Sequence, residues 1–177
     1  MRLGIADHLG WAVAVIATDD HDVADRRRLE LVETGVTPAP IHYVSHRLDV
    51  AETAALVAEV RASVARASAA ALDALPGPIA SISLRAWPLD FPVDIAVQRR
   101  APYEARADAI MYRQILAELA HERGWEVHVH DAKAAERQAA ALLGDRADAV
   151  LRGPRERLGP PWTKDHRVAL AATILSG

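Results

Sequence analysis

The sequence predicts an α/β fold on a five-stranded mixed sheet, three antiparallel strands and then alternating helices and strands, with helices on the sheet faces. Three observations carry this. Residues 2–32 contain three β-rich runs separated only by short polar turns. Residues 49–75 and 104–123 space their apolar side chains as helices do, and a short β-like run follows each of them.

The first hairpin takes Leu3 and Ile5 up to Asp7, turns through His8 to Gly10, and returns along the small and β-branched residues from Trp11 to Thr18. After the polar turn at residues 18–22, residues 23–32 alternate Arg26, Arg28 and Glu30 with Arg27, Leu29 and Leu31, which marks a strand with one wet face or an edge. Residues 35–40 break the pattern, and residues 41–44 are expected to be a short β-like piece.

Asp49 with Glu52 three residues later forms a capping-box signature for the first helix, and Pro76-Gly77-Pro78 stops it. Residues 79–84 alternate with period two, so Ile82 and Leu84 should face one layer. Prolines at 88, 92 and 102 make residues 87–102 a loop over the sheet edge. In the following helix Met111, Ile115 and Leu119 form one ridge and Tyr112 and Leu116 another, and Gly124 ends it. Residues 125–131 form a fifth strand and residues 133–143 a helix. A Gly, Pro and Arg-rich connection covers 144–161, and a last helix spans 163–175 with Thr163 as its cap. Trp162 is expected to staple that helix to the sheet.

With 177 residues, just over half of them hydrophobic, the chain suits one domain, 1–177, with a sizeable core. Its net charge of −3 gives no general attraction to polyanions, so a nucleic-acid partner would need a local basic patch. The absence of cysteine removes disulfides and thiolate chemistry. No membrane-spanning run and no signal-peptide profile are seen, and a cytoplasmic location is expected. Gly-x-Gly-x-x-Gly, Walker-type, Gly-x-Ser-x-Gly and His-Glu-x-x-His signatures are missing, which leaves nucleotide cofactors and serine-hydrolase chemistry unsupported.

The element order, together with Gly4-Ile5-Ala6-Asp7-His8-Leu9-Gly10-Trp11, Tyr112 to Ala120 followed by Gly124 and Val127 to His130, and Asp165-His166-Arg167-Val168-Ala169-Leu170-Ala171, resembles the Holliday-junction resolvase branch of the ribonuclease H-like superfamily. The resemblance implies a ribonuclease H-like fold in which Asp7 and Asp165 are catalytic and metal-binding carboxylates. Apart from the resemblance, His166 adjoins Asp165 and is a further candidate metal ligand in a mixed His and carboxylate site for Mn²⁺ or Zn²⁺. The cofactor would be Mg²⁺ or Mn²⁺, and metal-activated water would attack a phosphodiester, with Lys164 or an arginine steadying the phosphate. The acidic site is reduced: Ala6 intervenes where the family's Gly-Ile-Asp stretch has its acid directly after the isoleucine, so Asp7 matches by position only; the fourth strand offers Ser81 and Ser83 where the family carries an acid; and the second acid of the last helix falls on Val168. Asp90 and Asp94, or Glu104 and Asp108, are the substitutes within reach, and His8 and His166 adjoin the candidate acids.

Each residue has a structural reading beside the chemical one. Asp7 suits a strand end and Asp165 a helix first turn; His42 and His46 could be neighbouring ligands, with solvated histidines at a strand exit as the alternative; and His128 and His130 suit half-exposed packing on one strand face. Arg85, Arg99, Arg100 and Arg106, with Arg152, Arg155 and Arg157, could supply the basic patch. Two functions follow: a domain that acts on or binds nucleic acid, or a non-catalytic scaffold or protein-interaction module of the same fold. A homodimer stays open for either.

Overall fold

The computed structural model describes residues 1–177. Five strands, β1 (Arg2–Asp7), β2 (Trp11–Ala17), β3 (Val23–Glu30), β4 (Ser81–Arg85) and β5 (Glu126–His130), form one sheet in the order β3-β2-β1-β4-β5. β1 pairs antiparallel with β2 and β2 with β3, while β4 runs parallel to both β1 and β5. The helices are α1 (Val50–Asp73), α2 (Ile95–Gln98), α3 (Glu104–Glu122), α4 (Ala135–Leu143), α5 (Ala147–Leu151), α6 (Pro154–Leu158) and α7 (Lys164–Leu175). No helix is long and apolar enough to cross a membrane.

Strand alternation divides the core into two layers. Leu3 and Ile5 of β1, with their partners Ile16 and Ala14 of β2, join Ile82 and Leu84 of β4 on the side covered by α1 and α3, where Tyr112, Leu116 and Val60 are fully buried. Val13, Val15 and Ala17 of β2 face the other way, against Ala169, Leu170 and Ile174 of α7 and Ala135 and Ala139 of α4. The buried inner strands are enriched in Val, Ile and Ala because both of their faces are covered.

Most element boundaries follow local chemistry. Asp49 and Glu52 close the capping box at the start of α1, each accepting the other's backbone N–H at 2.8 Å. Trp162 is buried and donates its indole N–H to the Leu151 carbonyl at 2.8 Å, which anchors the entry to α7.

Residues 41–44 are not a β-like piece. Pro40–Val44 is a π-helical turn that continues into a 3₁₀ turn, Ser45–Arg47. The Asp108 carboxylate on α3 accepts the Ile41 and His42 N–H groups at 3.1 and 2.8 Å, so it holds these donors away from any sheet ladder. The expected loop at 87–102 holds the short α2, capped by Asp94, and the 144–161 connection coils into a 3₁₀ turn, α5 and α6.

Candidate functional site

Gly4 positions the last helix. A Cβ placed there would overlap the Ala169 carbonyl oxygen and lie 2.7 Å from its carbon, so α7 crosses β1 with backbone against backbone. The two elements run antiparallel. Arg2 at one end donates to the Thr173 carbonyl, and His8 beyond the other end meets Asp165 in the first turn of α7. Asp165 and Val168, three residues apart on one helix face, therefore overlook the carboxyl ends of β1 and β4.

A cleft of about 290 Å³ opens at this point, and Ala6, Asp7, Arg85, His130, Lys133 and Asp165 are among its lining residues. Such a location, outside the carboxyl ends of parallel strands, is where open α/β sheets commonly bind ligands.

The expected acids reach the cleft from opposite sides of the sheet. In β1, Gly4 and Ala6 share the α7 face; Leu3, Ile5 and Asp7 share the α3 face, as the pairing of Asp7 with Ala12 of the α1/α3 core requires. Because the strand period is two, the alanine between Ile5 and the acid turns the carboxylate to the other face. There Arg113 of α3 donates its Nε–H to Asp7 Oδ2 at 2.8 Å, with side-chain exposures of 9% and 2%. Asp165 is engaged separately, by His8 Nε2 at 3.1 Å, and the His8 ring stacks on Trp11 at 4.1 Å.

His166 does not turn toward these acids. Its ring Nδ1 accepts the Thr163 N–H at 3.2 Å and caps α7, and its ring lies 5.4 Å from that of Trp162. Burial, with Arg26 nearby, holds His166 below the ordinary histidine range. Two of the four substitute acids are occupied elsewhere. Asp94 caps α2, and Asp108 is buried beneath the π turn, where desolvation raises its pKa against the two backbone N–H groups.

Two Mg²⁺ ions about 4 Å apart need several carboxylates, with oxygen ligands at about 2.0–2.1 Å. No group of three or more His, Asp or Glu side chains comes together in a way that could hold a metal. The residues present do not fit a two-metal centre. Ala6, Ser83 and Val168 stand on the α7 side where the pattern of the first and fourth strands and the last helix would put acids.

The cleft carries positive charge in place of those acids. Arg85, Lys133 and Lys164 are exposed on its lining, and none of the three has an ion-pair partner. Between them His130 is 7% exposed, and neither ring nitrogen has a side-chain hydrogen-bond partner. Burial pushes His130 below the usual histidine range; Arg85 acts in the same direction, and Asp7, Asp131 and the Leu84 backbone oppose them.

Arg85 also lines an adjoining depression of about 270 Å³ with Arg106 and Arg113, to which no acid contributes. Of the other expected arginines, Arg99 donates to the Ser45 carbonyl at 2.7 Å and also to that of Leu48, and Arg152 and Arg157 pair with Asp148 and Asp22 away from the cleft.

Sequence reading passed over Arg113 and Lys133. A signal existed for Arg113, which interrupts the apolar run Ile110-Met111-Tyr112 and Ile115-Leu116 on the buried side of α3. Comparison with family models, curated proteins and solved structures returns no match for this chain.

Proposed function

We propose that this chain is a ribonuclease H-like domain that binds nucleic acid through its phosphates and does not hydrolyse it. The sheet order β3-β2-β1-β4-β5, with an antiparallel β1–β2–β3 meander, parallel β4 and β5 and a last helix laid across β1, supports the fold reading. The observation that carries the function is the replacement of a carboxylate cluster by unpaired cations. Lys133, Lys164 and Arg85 surround one depression, and Arg85 continues into the next with Arg106. Two adjoining basic depressions suit a polyanion that runs past several phosphates, and they supply the local patch that a net charge of −3 otherwise denies.

Fluorescence anisotropy with labelled single-stranded, duplex, hybrid and branched oligonucleotides tests this. Binding should weaken as salt rises and should fall by roughly tenfold in Arg85→Glu and Arg106→Glu, but not in Arg66→Glu on α1, which lines neither depression. Equal loss in all three variants, or no binding at 50 mM salt, would refute the reading. Cleavage of any of these substrates with Mg²⁺ or Mn²⁺ would refute its non-hydrolytic part.

One observation favours the interaction-module alternative. Leu89 and Val93, 97% and 90% exposed, stand on the loop after β4 beside the basic track. A module of that kind would retain partner binding in Arg85→Glu and lose it in Leu89→Asp.

A further inference from the structure

The most unusual group in the cleft is His130. It lies at the end of β5, in register with Arg85, buried beneath exposed cations, with no side-chain hydrogen-bond partner for either ring nitrogen. A buried imidazole that no side chain partners is left under-satisfied unless something that binds there completes it. The surrounding charges define what that would be. Arg85, Lys133 and Lys164 are free of ion pairs, whereas Asp7 is neutralised by Arg113 and Asp165 is joined to His8. An anion with several acceptor oxygens answers both the cations and the imidazole N–H.

Burial also limits which phosphate can reach the ring. An internal phosphodiester has chain on both sides, and both chain segments would have to be accommodated beside a phosphate that reaches into a cleft of about 290 Å³. A terminal phosphate projects from its strand and can enter alone. It is also close to a dianion at neutral pH, with a second pKa of about 6 and three acceptor oxygens, so it is the better match for three cations.

We propose that the cleft receives the terminal phosphate of a nucleic-acid strand, with His130 donating a ring N–H to it, Arg85, Lys133 and Lys164 neutralising it, and the strand leaving across Arg85 toward Arg106. This rests on the nucleic-acid reading above and narrows it from backbone binding to end recognition.

The test uses one labelled single-stranded ten-mer with a 5′-phosphate, a 3′-phosphate or hydroxyls at both ends, titrated by anisotropy, with a nucleoside monophosphate as competitor. One phosphorylated form should bind at least tenfold tighter than the hydroxyl-ended strand. That preference should drop to threefold or less in His130→Gln and in Lys164→Ala. Lys164 is exposed, so its variant separates loss of recognition from loss of folding, and its unchanged melting temperature is part of the expected result.

Equal binding of all three strands overturns end recognition and leaves the nucleic-acid reading standing. Failure of every strand to bind overturns both. A nucleoside monophosphate that competes as well as the phosphorylated strand identifies a free nucleotide as the ligand and overturns the strand-end proposal. Retention of the preference in both variants overturns the role given to His130 and Lys164.

Discussion

Arg113 of α3 reaches across the core to the end of β1 and donates its Nε–H to Asp7 Oδ2 at 2.8 Å, and almost nothing of either side chain is exposed. The pair fixes the one acid that the hairpin motif singles out. Removal of one partner leaves a buried, uncompensated charge, which typically costs about 3–5 kcal/mol. Arg113→Met should therefore lower the melting temperature by about 6–20 °C at this chain length. Replacement of both partners with apolar residues of similar size, Asp7→Leu with Arg113→Met, should recover most of that loss. Differential scanning calorimetry of the two variants checks it, and a double variant no more stable than the single would contradict the ion-pair account.

Gly4→Ala tests the contact on the opposite face of the same strand. The new methyl would meet the Ala169 backbone, which can shift only if all of α7 shifts, with Thr173 Cγ2 also 3.0 Å away. Overpacking against a fixed backbone costs typically 1–3 kcal/mol. The expected result is a loss of at least that size in urea unfolding with an unchanged m-value. Ala169→Gly should not rescue it, because the clash is with backbone. Rescue there would show that the helix–strand approach is looser than described.

The frame of the fold was readable because it rests on local signals. The Asp49–Glu52 capping box, the alternation of Ile82 and Leu84 and the ridges of α3 are each encoded within a few residues. The site was less readable because sidedness and partnership are tertiary properties. Asp7 sits one residue further along than the Gly-Ile-Asp pattern would place it, and only pairing with Ala12 shows that this turns it away from α7. The Arg113 partner is 106 residues distant in sequence. The sequence around His130 suggests half-exposed packing, because nothing local reveals that the end of β5 shares a cleft with the first turn of α7. The residues 41–44 misled for a similar reason: Asp108, far along the chain, captures their N–H groups.

Acidification should weaken the fold. His21, His130 and His166 all have pKa values lowered chiefly by burial. Each is protonated more readily unfolded than folded. Below the ordinary histidine pKa of about 6.5 the unfolded chain therefore gains protons that the folded chain lacks, and stability falls as pH falls. A unit or more above that value these groups add no slope. Asp108, raised by burial, acts with the opposite sign in the carboxylate range, where protonation favours the folded state. Melting temperatures at pH 7.5, 6.5 and 5.5 should decline in that order, with a shallower decline in His130→Gln. A flat profile would contradict the burial of these rings.

Divalent cations supply a test that depends on neither binding partner nor substrate. A folded protein with a metal site of 1 mM dissociation constant gains about 1.4 kcal/mol at 10 mM metal, or roughly 3–5 °C in melting temperature for a chain of this size. Asp7 is neutralised by Arg113 on the α3 side, Asp165 is held by His8, and His166 spends Nδ1 on the α7 cap. The expected shift with Mg²⁺ or Mn²⁺, relative to chelator, is therefore below 1 °C after correction for ionic strength. Inorganic phosphate at the same concentration should raise the melting temperature, because Arg85, Lys133 and Lys164 face the cleft without counter-charges. The sign of this pair of shifts separates the two chemistries: stabilisation by metal without stabilisation by phosphate would restore the two-carboxylate site and remove the anion cleft.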